Sequence, residues 1–109
     1  MFQEYNKLVR DRIPEIIHKA GNECEVVTMS PDEYKQALRD KLIEEAQEAA
    51  GAANSQDLVK ELADLYEVID AVILTYGIER ESVLAEQNRR RSERGGFEQR
   101  IKLRWTKSP

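Results

Sequence analysis

The chain has one cysteine and one histidine among its 109 residues, and these scarcities remove several kinds of chemistry. Cys24 alone can form neither an internal disulfide nor a thiolate zinc cluster, and it fits a reducing, cytoplasmic setting. With His18 as the sole imidazole, neither a histidine-based metal site nor a Ser-His-Asp triad is expected. Apolar runs are short, far below the roughly 20 residues of a membrane span. The opening Met-Phe-Gln-Glu-Tyr-Asn-Lys has no apolar stretch of the secretory kind.

What remains is 40% apolar and 35% charged, the balance of a soluble, helix-rich globular chain rather than a disordered one. The length suits a single domain over residues 1–109 with a modest core, to which a partner chain would add buried area. Charge is unevenly placed. Residues 31–70 carry eleven acids against four bases, and residues 88–109 carry eight bases against two acids. An acidic middle suits metal and a basic end suits anions; a merely solvated surface would show the same counts.

Pro14 disfavours helix in the residue before it, so residues 5–14 are expected to be extended or irregular. A short helix follows from Glu15 to about Ala20, stopped by Gly21-Asn22. The β-branched Glu25–Met29 reads as a strand. Ser30-Pro31-Asp32-Glu33 is a helix start, with a Ser cap, Pro at the first position and Glu three after the cap. That helix should run to about Ala50. Residues 54–57 cap a third helix, which reaches Tyr76 and closes at Gly77. Its apolar face holds Leu58, Leu62, Leu65, Ile69, Val72, Ile73 and Tyr76, and Tyr66, Ala71 and Leu74 widen it. Burial on several sides is implied, and in so short a chain that favours a second copy. A fourth helix spans about Arg80 to Glu93. Ile101, Leu103 and Trp105 alternate with Lys102 and Arg104 as a strand would, and could pair with 25–29. The expected fold is mainly α, a bundle of about four helices with a small two-stranded element.

Glu45/Glu48 and Glu61/Asp64 carry the chemistry. Each pair is spaced i, i+3, which puts both carboxylates on one helix face. Glu45 falls three after Leu42 and seven after Leu38; Glu61 falls three after Leu58 and four before Leu65. Carboxylates within apolar stripes are costly without a partner and call for a cation. Four hard oxygen ligands from two helices suit Mg²⁺, with Mn²⁺ as a substitute, and a phosphate-bearing substrate. Glu45 is thus both a metal ligand and, with Glu44, a candidate catalytic carboxylate. Glu44 projects from the other flank, where it would orient a ligand or a water. Glu67 extends the Asp64 row as a further candidate, and a hydrogen-bonded structural role suits Asp70. The alternative is solvated acidic pairs facing Lys or Arg.

Lys7, Arg10, Arg91 and Arg94 are the candidate phosphate contacts, since guanidinium forks match phosphate oxygens. A solvated helix end would also explain Arg89–Arg91 and Arg94. Nucleic acid is a third reading, with Trp105 and Phe97 for stacking, but a pI of about 5.1 argues against it.

Glu44-Glu45-x-x-Glu48, twelve residues, then Glu61-x-x-Asp64 resembles the signature of the all-α nucleoside triphosphate pyrophosphohydrolases, the MazG-like superfamily. That superfamily includes phosphoribosyl-ATP pyrophosphohydrolases and dimeric dUTP pyrophosphatases. The flanks Lys7–Ile17 and Glu93–Ile101 resemble a small single-domain branch of house-cleaning enzymes for non-standard nucleotides. The resemblance covers about residues 5–103. It implies cleavage of a nucleoside triphosphate, non-canonical ones included, between the α and β phosphates. It also implies Mg²⁺ dependence and a homodimer or higher even oligomer. Phosphoribosyl-ATP hydrolysis in histidine synthesis is the alternative within enzymes; a non-catalytic nucleotide- or nucleic-acid-binding dimer is the alternative outside them.

Overall fold

Ser30 and Asn54 start the two long helices of the protein. In the computed structural model, which describes residues 2–109, the Ser30 hydroxyl accepts from the Glu33 N–H at 3.2 Å. The Asn54 side chain accepts from the Asp57 N–H at 2.9 Å. Each satisfies a backbone donor that the first helical turn leaves unpaired. With Pro31 pre-set for the first turn, α2 runs Pro31–Ala50 and α3 runs Ser55–Thr75. Before them α1 spans Ile13–Lys19, and after them α4 spans Arg80–Arg94. α1 begins two residues earlier than expected, with Pro14 in its first turn.

Two compact units divide the chain, Met1–Gly77 and Ile78–Pro109. The first is built on the packing of α2 against α3. Their short connection makes them an antiparallel hairpin. Accordingly Arg39, early in α2, donates to the Tyr76 hydroxyl beyond the end of α3 at 2.8 Å. Leu38 and Glu45, seven residues apart, are the buried positions of α2, and Val68 is the buried position of α3. Leu38 and Val68 are the only buried apolar residues among the described ones. On α3 the positions facing α2 are those in step with Val68. Leu58, Leu62 and Tyr66, at four-residue steps with Val59 beside them, are left exposed together with Leu74.

The second unit is α4 and the segment that follows it. On α4 Arg89 bridges Glu86 and Glu93, one turn to either side. Gly95, at φ 83° and ψ 176°, ends the helix in a conformation that favours glycine.

The expected two-stranded element is absent among the described residues. Both 25–29 and 101–105 are irregular, and the structure is four helices. Alternating apolar residues do not suffice for a strand: Val26, Val27, Ile101, Leu103 and Trp105 are all exposed. With no face buried, nothing specifies a register, and an isolated ribbon of two strands is marginal in any case. No helix among the described residues is long and apolar enough to cross a membrane.

Candidate metal centre

The α2–α3 hairpin turns the spacing of its acids into a cluster. Glu45 sits one heptad from the buried Leu38 and is itself 7% exposed, the most buried charged residue described. On α3, Glu61 and Asp64 precede Val68 by seven and four residues, so the face that holds Val68 to α2 also turns these carboxylates inward. Glu45, Glu61 and Asp64 each offer an oxygen, and the three atoms lie within 4.8 Å of one another. Glu48, the fourth expected ligand, is exposed and lies outside this group of three, although its charge bears on both Glu45 and Glu61.

Such proximity is electrostatically expensive. Burial first, then the hydrogen bond and charge of Glu48, hold the Glu45 carboxyl above its ordinary range; Lys41 opposes this and Asp64 adds to it. Glu61 is raised by the same causes in the same order, with Asp64 and Asp57 contributing. The Oε2 atoms of Glu45 and Glu61 are buried with no hydrogen-bond partner among the described residues. A buried carboxylate oxygen without a donor is a costly arrangement unless a cation shares the space. Hard oxygens contributed by two helices are the donor set that Mg²⁺ or Mn²⁺ takes, so the residues present fit a divalent ion.

Cations of the chain itself rim this cluster. Lys7 Nζ donates to Glu44 Oε1 and Arg10 Nη2 to Asp64 Oδ1, each at 2.7 Å. The bond from Lys7 is the main reason the Glu44 carboxyl is lowered, and Glu44 in turn raises the Lys7 ammonium. Lys41 Nζ lies 3.7 Å from both Glu44 Oε1 and Glu45 Oε1. Two of the candidate phosphate contacts, Lys7 and Arg10, thus stand at the edge of the acidic group although 37 and 54 residues separate them from their partners. Arg91 and Arg94 belong to the second unit, where they lie in the last turn of α4 and Arg91 pairs with Glu98. Glu67 is exposed and outside the cluster. Lys41 was not singled out from the sequence, although its spacing of three and four residues from Glu44 and Glu45 was a sign of ion pairing.

Carboxylates from two antiparallel helices, rimmed by Lys and Arg, form a donor set that fits a divalent ion and the anions it would accompany. Residues 3–91 match the family model described as phosphoribosyl-ATP pyrophosphohydrolase, and the chain belongs to that family, within the MazG-like all-α superfamily. The family consists of hydrolases acting on phosphoric anhydrides. The chain is also 47% identical over 55 residues to an uncharacterised protein of Mycolicibacterium smegmatis, a match covering 50% of this chain. The chain spans about half the length of that curated relative, 55%. No solved structure matches.

Proposed function

We propose that the protein hydrolyses a nucleoside triphosphate, canonical or modified, between its α and β phosphates, releasing the monophosphate and pyrophosphate. The observation that carries this reading is the pair of buried, donorless Oε2 atoms of Glu45 and Glu61 in a cluster with Asp64. Glu45, Glu48, Glu61 and Asp64 would hold Mg²⁺, or Mn²⁺ in its place. Bound there, the ion would neutralise phosphate charge and lower the pKa of a water. Phosphoryl transfer asks little else of a protein beyond positioning and charge stabilisation, so the shortage of Cys and His nucleophiles is no obstacle.

The chain's own residues have distinct tasks in this scheme. Glu44 orients the attacking water as an acceptor, and Glu45 stands beside it. Lys7 and Arg10 leave their carboxylates to contact phosphate oxygens; these pairs are partly exposed, and such pairs are weak enough to exchange. Arg91 and Arg94 are further candidates for phosphate. The chain works as one domain in the cytoplasm, as a homodimer or higher even oligomer. The uncovered apolar residues of α3 support assembly.

A second reading, hydrolysis of phosphoribosyl-ATP, is favoured by the description of the matching family. It shares the carboxylates and the bond broken. A panel of nucleoside triphosphates plus phosphoribosyl-ATP, assayed for pyrophosphate with Mg²⁺ and with Mn²⁺, separates the two. Release from triphosphates that stops when EDTA is added is the expected result. Release from phosphoribosyl-ATP alone would move the protein to the second reading, and no release from any substrate would sink both.

A further inference from the structure

The unit of residues 78–109 has no interior of its own. Every one of its residues is exposed, and a unit of fewer than about 40 residues seldom buries enough surface to hold itself together. Its C-terminal segment concentrates the problem. Phe97, Ile101, Leu103 and Trp105 are 74–96% exposed. Residues 99–109 also carry four bases, Arg100, Lys102, Arg104 and Lys107, and no acid. None of the four has an ion pair among the described residues. The root of the segment is nevertheless fixed. Gly95 ends α4, Arg91 pairs with Glu98, and the Arg100 N–H donates to the Phe97 carbonyl at 3.1 Å. Arg100 holds a φ of 58° in that turn, a left-handed backbone uncommon for its residue type. An apolar and basic segment presented from a fixed root is preorganised for a partner.

The chain itself supplies the complement. Residues 31–70 carry eleven acids against four bases. On α3, Glu67 and Leu74 are seven residues apart and share one face. Leu74 is 82% exposed, and Glu67 is exposed with no ion pair among the described residues. By helical spacing this face adjoins the strip of Leu58, Leu62 and Tyr66 without coinciding with it. Nucleic acid and anionic lipid also attract cations, but a chain of net charge −4 is repelled by both. An acidic hairpin is attracted to the segment, and its exposed Leu74 meets the apolar side chains as well.

We infer that residues 97–105 of one copy dock on the Glu67–Leu74 face of α3 in a second copy. The apolar side chains cover Leu74, and the cations face Glu67 and the other acids of the hairpin. In a two-fold pair the docking is reciprocal. It builds on the assembly proposed above and is independent of the reaction catalysed.

Trp105 is the only tryptophan, so its emission reports directly on the segment, moving to shorter wavelength as water leaves the indole. The full chain is diluted in steps, with emission and light scattering read together. Association and the shift of Trp105 to shorter wavelength should rise together with concentration, and added salt should weaken both. Arg104→Glu and Leu74→Asp alter exposed residues, so each should fold as the wild type does. Each should raise the dissociation constant about tenfold or more, with the emission shift displaced to higher concentration. Association that leaves Trp105 emission unchanged, or an unaltered dissociation constant in both variants, overturns the docking while the assembly stands. Short-wavelength emission that does not change on dilution to monomer overturns it too, by placing the cover within one chain. A single-stranded oligonucleotide or an anionic vesicle that shifts the emission of the monomer, where self-association does not, assigns the segment to that partner instead. A chain monomeric at all concentrations removes both the docking and the assembly beneath it.

Discussion

Glu45 and Glu61 face a demand that no neighbouring side chain meets. Both carboxyls are held above the ordinary glutamate value of 4.5, by burial first and by Glu48 next. In the unfolded chain they ionise near that value, so as pH rises past it the unfolded state releases protons that the folded state keeps. Their contribution to stability is therefore full below 4.5 and is lost as pH rises through the folded-state pKa. Glu44 has the opposite sign: lowered chiefly by Lys7, it contributes above 4.5 and loses that contribution as pH falls through its folded value. Because Glu44 is partly exposed, the Glu45 and Glu61 trend should dominate. Urea denaturation without divalent ions should accordingly show stability falling from mildly acidic to neutral pH. Mg²⁺ should reverse this fall, and Glu45→Gln should flatten it. The same variant should lose more than about a hundredfold in turnover, since even residues that only support metal ligands cost 10–100-fold. Full turnover in Glu45→Gln, or a stability unaffected by Mg²⁺ at neutral pH, would remove Glu45 from the site.

Among the elements, α2 and α3 were legible because their signals agree at several levels. Ser30 and Asn54 cap, Pro31 opens, and the apolar positions recur at helical spacing, so both helices lie within two residues of expectation. Three of the four expected carboxylates, Glu45, Glu61 and Asp64, meet because they lie beside the Leu38 and Val68 stripes that pack; Glu48 stays outside that group. The supposed strands were misread for an equally physical reason. Alternation records a two-residue period but not whether either face is buried, and both faces at 101–105 are exposed. The ion pairs of Lys7 and Arg10 were beyond pattern reading, because a 37- or 54-residue separation follows no local period. If the hairpin is the stability element of its unit, its few buried groups should matter out of proportion. Leu38, 3% exposed, should cost about 2–5 kcal/mol as Leu38→Ala, and Asn54→Ala should cost about 1 kcal/mol through its lost cap. Denaturant midpoints measure both. A loss at Leu38 no larger than at Asn54 would mean that the hairpin's interior is not where the unit is held.

For the molecule as a whole, the uncovered apolar surface of α3 is the feature that demands explanation. On α3, Leu58, Val59, Leu62 and Tyr66 share one side, away from α2. Soluble monomers seldom leave such a strip uncovered, and a second copy can cover it by presenting the same residues in return. The proposed assembly would thus supply the core that one chain lacks, and its stability would depend on protein concentration. Tyr66 is 68% exposed, so Tyr66→Asp should be nearly neutral in an isolated chain. Within a two-fold interface it would instead bury a charge from each copy. Light scattering should therefore find the wild type dimeric or larger and Tyr66→Asp shifted towards monomer, with a lower and more concentration-dependent Tm. A wild type that stays monomeric at all concentrations, with a Tm unmoved by Tyr66→Asp, would show that α3 keeps its outer side in water.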